Sequence, residues 1–133
     1  MGSARTLRLR RRRDFALLYR RGKVFSNALL TLRALPNGLP HNRYAFVVSK
    51  RLGKAVARNL LRRRLREGLR AMRLRPGWDL AIIARVQARG ADYHRLREAL
   101  VDLLSKARLR MPEGSHREGP QAWASQVSGR VSE

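Results

Sequence analysis

One stretch of this chain constrains its fold more than any other: Ser49 to Arg73, S-K-R-L-G-K-A-V-A-R-N-L-L-R-R-R-L-R-E-G-L-R-A-M-R. It opens with a short basic loop, Lys50-Arg51-Leu52-Gly53-Lys54, and continues with helical spacing. At about 100° per residue, Arg58, Arg62, Arg66 and Arg73 fall on one side, with Asn59, Arg63 and Arg70 beside them. Ala57, Leu61, Leu65, Gly68 and Met72 fall roughly opposite. The spacing predicts an amphipathic helix whose apolar side needs a core and whose polar side is almost purely cationic. Glu67 is its only acid and is expected to pair with Arg63 or Arg70. Arginines stacked at intervals of four repel one another, which costs helix stability unless a polyanion lies against them. A surface helix that is merely solvated mixes its charge signs.

The rest of the charge is distributed in the same sense. The chain carries 31 Lys and Arg against 9 Asp and Glu, a formal net charge of +22. Between Asp14 and Glu67 there is no acid, while thirteen basic residues occur. Most are arginine, which forks onto phosphate oxygens and stacks on bases better than lysine does. Such a field attracts nucleic acid. At 133 residues the chain has room for one domain with a modest core. It has no cysteine, so disulfides and thiolate metal sites are excluded. No apolar run approaches the roughly 18 residues of a membrane span, and no apolar segment follows the basic N-terminus as in a secretion signal. A cytoplasmic nucleic-acid binder, without a membrane partner or a small-molecule substrate, is expected.

In chain order, residues 1–13 read as a basic, flexible arm with Leu7 and Leu9 as its larger apolar side chains after Met1. Asp14 to Arg21 spaces Phe15, Leu18 and Tyr19 as one helical face, and Gly22 stops it. Phe15 and Tyr19, edged by Arg20, read either as core or as a stacking platform for unpaired bases. From Val24 to Leu35 the period becomes two, giving a strand. Pro36-Asn37-Gly38-Leu39-Pro40 is a turn. Arg43 to Ser49 is a second strand, expected to pair with the first as an antiparallel hairpin. The basic helix ends before Pro76. Trp78 to Arg85 is a nearly continuous apolar run, which suits a strand buried on both faces. Asp92 caps a last helix striped by Leu96, Leu100, Leu103 and Leu104 and ending near Arg108. Met111 to Glu133 has little periodicity and reads as a disordered tail, with Trp123 and Val127 as a candidate short sticky element. The layout predicts an α+β fold: a small single-domain sandwich of helices on a β-sheet over residues 14–110, with a βαβ crossover around the arginine-rich helix. Such crossovers are ordinarily right-handed.

The chain has little catalytic equipment. His41, His94 and His116 lie in a turn, at a helix start and in the tail, without partners at metal or general-base spacing, and read as surface residues. Asp79 and Asp92 read as strand-edge and cap residues. No carboxylate cluster suggests a metal site, so no catalytic and no metal-binding residue is expected.

Lys50-Arg51-Leu52-Gly53-Lys54-Ala55-Val56-Ala57-Arg58-Asn59, followed by Arg62-Arg63 and Leu65-Arg66-Glu67, resembles the signature of the bacterial ribonuclease P protein subunit. That signature runs lysine-basic-x-Gly-x-Ala-Val-x-Arg-Asn-Arg. Leu7, Phe15, Tyr19 and Gly22 resemble the family's first helix, and Asp79 to Arg85 its strand ending in alanine-arginine. Leu60 departs, standing where the family has the second arginine of its triplet. Arg33 falls near a position that is aromatic in some members. The resemblance implies a left-handed crossover around the basic helix, against the ordinary rule. It also implies a ribonucleoprotein whose catalytic RNA, with magnesium bound mainly by that RNA, removes the 5′ leader of precursor tRNA. Lys50, Arg51, Lys54, Arg58, Asn59, Arg62, Arg63, Arg66 and Arg70 would then face the catalytic RNA, while Phe15, Tyr19, Arg20 and Arg33 would hold the single-stranded leader. A ribosomal protein or general RNA chaperone has the same composition and is the alternative. A DNA binder is less favoured, since the dense arginines and Leu60 and Leu61 offer few readers of base edges.

Overall fold

The computed structural model describes residues 8–111. The expectations for the tail therefore lie, Met111 apart, outside the described residues. Three helices and four strands follow in the order α1 (Arg12–Arg21), β1 (Lys23–Ser26), β2 (Leu30–Pro36), β3 (Arg43–Val47), α2 (Ala55–Arg70), β4 (Trp78–Ala84) and α3 (Tyr93–Lys106). Short 3-10 turns at Lys50–Leu52 and Val86–Ala88 lead into α2 and follow β4.

The strand expected over Val24–Leu35 is two strands. Asn27 breaks it: its Oδ1 accepts from the N–H groups of Leu29 and Leu30, and its own N–H donates to the Leu30 carbonyl. These bonds fold the chain back, and β1 pairs antiparallel with β2. Ser26-Asn27 is a polar pair with turn chemistry, but the apolar residues that resume at once with Ala28, Leu29 and Leu30 hide the break within an otherwise strand-like stretch. The expected β2–β3 hairpin does not form. The sheet order is β1-β2-β4-β3, with β4 antiparallel to β2 and parallel to β3. The chain leaves β3, crosses through α2 and returns between the two strands that sequence neighbourhood would have paired. β4 fits that central place because six of its seven residues are buried.

Side chains alternate between two cores. On one face Leu30, Leu32, Leu80 and Ile82 meet Leu61, Leu65 and Leu69 of α2 and Leu96, Leu100, Leu103 and Leu104 of α3. The expected leucine stripe of α3 is buried throughout, and Asp92 caps the helix by accepting from the Arg95 N–H. Gly68 lets α2 and α3 approach, since a Cβ there would stand 3.0 Å from Leu100 Cδ1. On the other face α1 covers a smaller core of Leu9, Leu18, Ala45 and Ala81, with Phe15 and Leu35 against it. Leu9 precedes α1 and is 3% exposed. Its N–H donates to the Tyr44 carbonyl at 2.9 Å, which fastens the chain to the outer edge of β3.

Asp79 is not at a strand edge. It is 3% exposed in central β4 and takes a bidentate contact from Arg43, Nε at 2.9 Å and Nη2 at 2.8 Å. Arg43 Nη1 reaches Asp14 at 3.2 Å, so one guanidinium joins α1, β3 and β4. The hydrogen bond to Asp79 raises the Arg43 pKa above its ordinary value against the opposing effect of burial. Breaking such a pair from one side costs about 3–5 kcal/mol.

Candidate nucleic-acid interface

The inner side of α2 is what its leucine spacing predicts: Leu61, Leu65, Gly68 and Leu69 are buried. Ala57, expected with them, is exposed, and Met72 is half-buried beyond the helix. The cationic side divides into two rows. Asn59, Arg63 and Arg70 are exposed, as are Lys50, Arg51 and Lys54 on the turn before the helix. Arg58, Arg62 and Arg66 are half-buried along the flank that faces β3. Arg58 Nε donates to the Gly53 carbonyl at 3.1 Å. Arg62 donates to Asn59 Oδ1 at 2.8 Å and, at 3.4 Å, to the Val48 carbonyl. The Arg66 guanidinium stands 5.8 Å from the Phe46 ring centroid. These contacts orient the heads without neutralising them, because carbonyls, an amide and a ring carry no net charge. Gly53 permits the approach to the helix: its φ of 123° is one that side-chain-bearing residues rarely adopt.

Acids do not offset this face. Among the described residues Asp14 and Asp79 are held by Arg43, and Asp102 pairs with Lys106. Glu67 is exposed and makes neither of the ion pairs expected of it with Arg63 or Arg70. The first turn of α2 contains no acid, and its N-cap Lys54 makes no side-chain capping bond. The partial positive charge of the helix N-terminus thus adds to the cations around it.

Two residues outside the expected set belong to this region. Arg8 borders a surface depression together with Asn59, Arg62, Arg63 and Arg66, so the N-terminal segment adds a cation to the face of α2. The signal for it was Leu9, an apolar residue within a basic run. Arg64 turns to the other flank and donates to the Ala91 carbonyl at 2.7 Å, a tie between α2 and the loop before α3. Leu60, the departing position, is half-buried and lines the same depression beside Val56, which is 82% exposed.

The four residues expected at the second surface lie around α1. Phe15 is half-buried against the smaller core, whereas Tyr19 is 43% exposed and Arg20 is exposed. The aromatic pair therefore divides: Phe15 is largely a packing residue and Tyr19 presents its ring. Arg33, opposite Ala81 on the sheet, lays its guanidinium 4.4 Å from the centroid of Tyr19 and donates to the Tyr19 carbonyl at 3.1 Å. Where an aromatic partner was expected, a cation–π stack occupies the position. Arg33 Nε is buried without a hydrogen-bond partner. The next row across the sheet, Ser26, Thr31, Ile83 and Val47, is half-buried or exposed, so the sheet face beside α1 is open there.

His41 and His94 are exposed, and His116 lies outside the described residues. Among the described residues no group of three or more His, Asp or Glu side chains is placed to hold a metal ion, and no helix is long and apolar enough to cross a membrane.

A family profile described as Ribonuclease P matches residues 4–108. The chain is 38% identical over 104 residues to the ribonuclease P protein component of Caldanaerobacter subterraneus subsp. tengcongensis, covering 77% of this chain and 90% of that one. Among solved structures, the RNase P protein from Thermotoga maritima superposes with a TM-score of 0.69 at 34% identity, covering 74% of this chain and 96% of the other. The RNase P protein of Staphylococcus aureus gives 0.71 at 27% identity, covering 79% and 98%.

Proposed function

The chain belongs to the bacterial ribonuclease P protein family, and on that premise we propose how this subunit works. It is a component of the ribonuclease P ribonucleoprotein, an accessory subunit of an endoribonuclease of tRNA processing with an RNA partner. In our reading Lys50, Arg51 and Lys54 and the arginine face of α2 lie against the phosphates of that RNA. The open sheet face beside α1 takes the single-stranded 5′ leader of precursor tRNA, with the stacked Tyr19 and Arg33 along one side and Arg20 at the rim. RNA performs the hydrolysis. Magnesium prefers carboxylate, water and phosphate oxygens. A guanidinium-lined face does not suit it, so the ions belong with the RNA.

The observation that carries this reading is the acid-free face itself: three half-buried arginine heads oriented by uncharged groups, beside an uncapped helix N-terminus. Each phosphate neutralised releases condensed counterions, which makes such a face favourable for RNA and salt-dependent. Reconstitution with a bacterial ribonuclease P RNA tests it. The protein alone should leave precursor tRNA intact, and its addition should lower the magnesium that the RNA requires. Cleavage by nuclease-free protein, or no effect on the magnesium requirement, overturns the reading.

A further inference from the structure

The Leu9 anchor has a second consequence at the outer edge of β3. Fastening Leu9 there carries its exposed neighbours Arg8 and Arg10 to the rim of a cavity of about 440 Å³. Arg62 and Arg66 reach the same cavity from α2, and Phe15 and Phe46 supply its aromatic wall. Four arginines therefore border one space, and no acid lines it. The strand edge opens there as well. The Tyr44 carbonyl is taken by Leu9, so the backbone of Tyr44 faces outward. Alternation turns the N–H and C=O of Phe46 to the same edge. Among the described residues the one bridge on that edge is Arg8 with Tyr44. The volume is within the roughly 300–1,000 Å³ of sites that take a small ligand.

Cations, aromatic rings and an open backbone donor and acceptor are what a phosphate, a base face and a base edge respectively require. We propose that this cavity seats one unpaired nucleotide of an RNA strand, with its phosphate among Arg8, Arg10 and Arg62 and its base against Phe15 and Phe46. The proposal rests on the RNA-binding reading above and adds a site that lies between the face of α2 and the open sheet face beside α1. A strand reaching from one surface to the other passes this edge. The nucleotide comes either from the partner RNA or from the leader, and the two sources share one chemistry.

Two variants of the full chain test the site. R8A/R10A removes exposed charges and leaves the core intact, whereas F46L keeps every charge and removes the ring. Each is titrated with ribonuclease P RNA alone, and then, in the reconstituted complex, with leader-bearing and leaderless tRNA. F46L should weaken binding about 5-fold or more in one arm without altering its salt dependence. R8A/R10A should weaken the same arm and lower its salt slope by about 0.7–0.9 for each phosphate no longer neutralised. Loss with RNA alone assigns the nucleotide to the partner RNA, and loss confined to leader-bearing tRNA assigns it to the leader. Affinities within twofold of wild type for both variants overturn the site. So does an R8A/R10A loss spread equally over all arms with F46L unaffected, because that is charge without a seat. If F46L does not fold, F46W takes its place: an indole in the cavity should be quenched as RNA binds, and unchanged fluorescence overturns the proposal. Wild-type protein that fails to bind either RNA overturns the functional reading and this proposal together.

Discussion

Helices α2 and α3 lie against one another on the same face of the sheet, and their inner sides are nearly interchangeable. Both are striped with buried leucine, and both need the partner helix to complete one core. Their outer sides differ in every respect that governs charge. α3 has an aspartate cap bonded to a backbone N–H, an acid and a base four apart in an ion pair, and an exposed surface that mixes Arg95, Arg97 and Glu98. α2 has a lysine at its N-cap without a capping bond, a glutamate in none of the ion pairs, and arginine heads turned onto carbonyls, an amide and a ring. A helix that serves only its own domain balances its charges locally. One that lacks a cap and local counter-ions has given up a few tenths of a kcal/mol at each such place, a loss that an external polyanion offsets.

The inner likeness can be broken by truncation, where the largest effects are expected. Leu65 of α2 is 0% exposed and Leu100 of α3 is 1% exposed, in one cluster. L65A and L100A should each lower the unfolding free energy by about 2–5 kcal/mol, read by urea denaturation. A loss well under 1 kcal/mol for either would show that its helix is not held by the shared core. The outer contrast is sharpened by charge removal. R58A/R62A should flatten the salt dependence of RNA binding by about 0.7–0.9 for each phosphate left without its arginine. R95A/R97A, on the exposed side of α3, should leave that slope unchanged. Equal slopes for the two double variants would erase the distinction between the helices.

Much of this contrast was legible in the amino-acid order, and its limits have physical causes. Leucines at helical spacing identify the buried sides of α2 and α3, and the missing acids identify the cationic side, because both are local properties of one segment. Asp92 read as a cap and the apolar run at Trp78–Ala84 read as a buried strand for the same reason. Pairing is not local. Arg43 and Asp79 lie 36 residues apart, and nothing near either names the other. The order of β2, β4 and β3 is likewise settled by where α2 returns the chain. The clue was present in the burial of β4 on both faces, which a strand has only with neighbours on either side and layers above and below. At the site, the helical spacing of Phe15 and Tyr19 placed both near one surface without telling packing from display. Only the register puts Arg33 beside Tyr19 and makes that exposed ring a platform, while Phe15, packed against the smaller core, lines the cavity beside β3 instead.

The smallest effect concerns the charge balance of α3 and depends on pH. The Asp102 carboxylate accepts from Asn27 Nδ2 at 3.0 Å, which joins α3 to the turn between β1 and β2, and pairs with Lys106 Nζ at 3.2 Å. The hydrogen bond from Asn27, and then the ammonium of Lys106, hold its pKa below the usual 3.8. A carboxyl depressed in the folded state contributes stability that is present above its unfolded pKa and is lost as pH falls through the folded value. Denaturation at pH 6 should therefore show D102N slightly less stable than the wild type. The gap should close as the pH is lowered past 3.8, because both proteins then carry an uncharged group that still accepts from Asn27. A gap that stays constant or widens in acid would mean that the carboxylate charge contributes nothing to the hold of α3, leaving its cap as the chief local difference between the two helices.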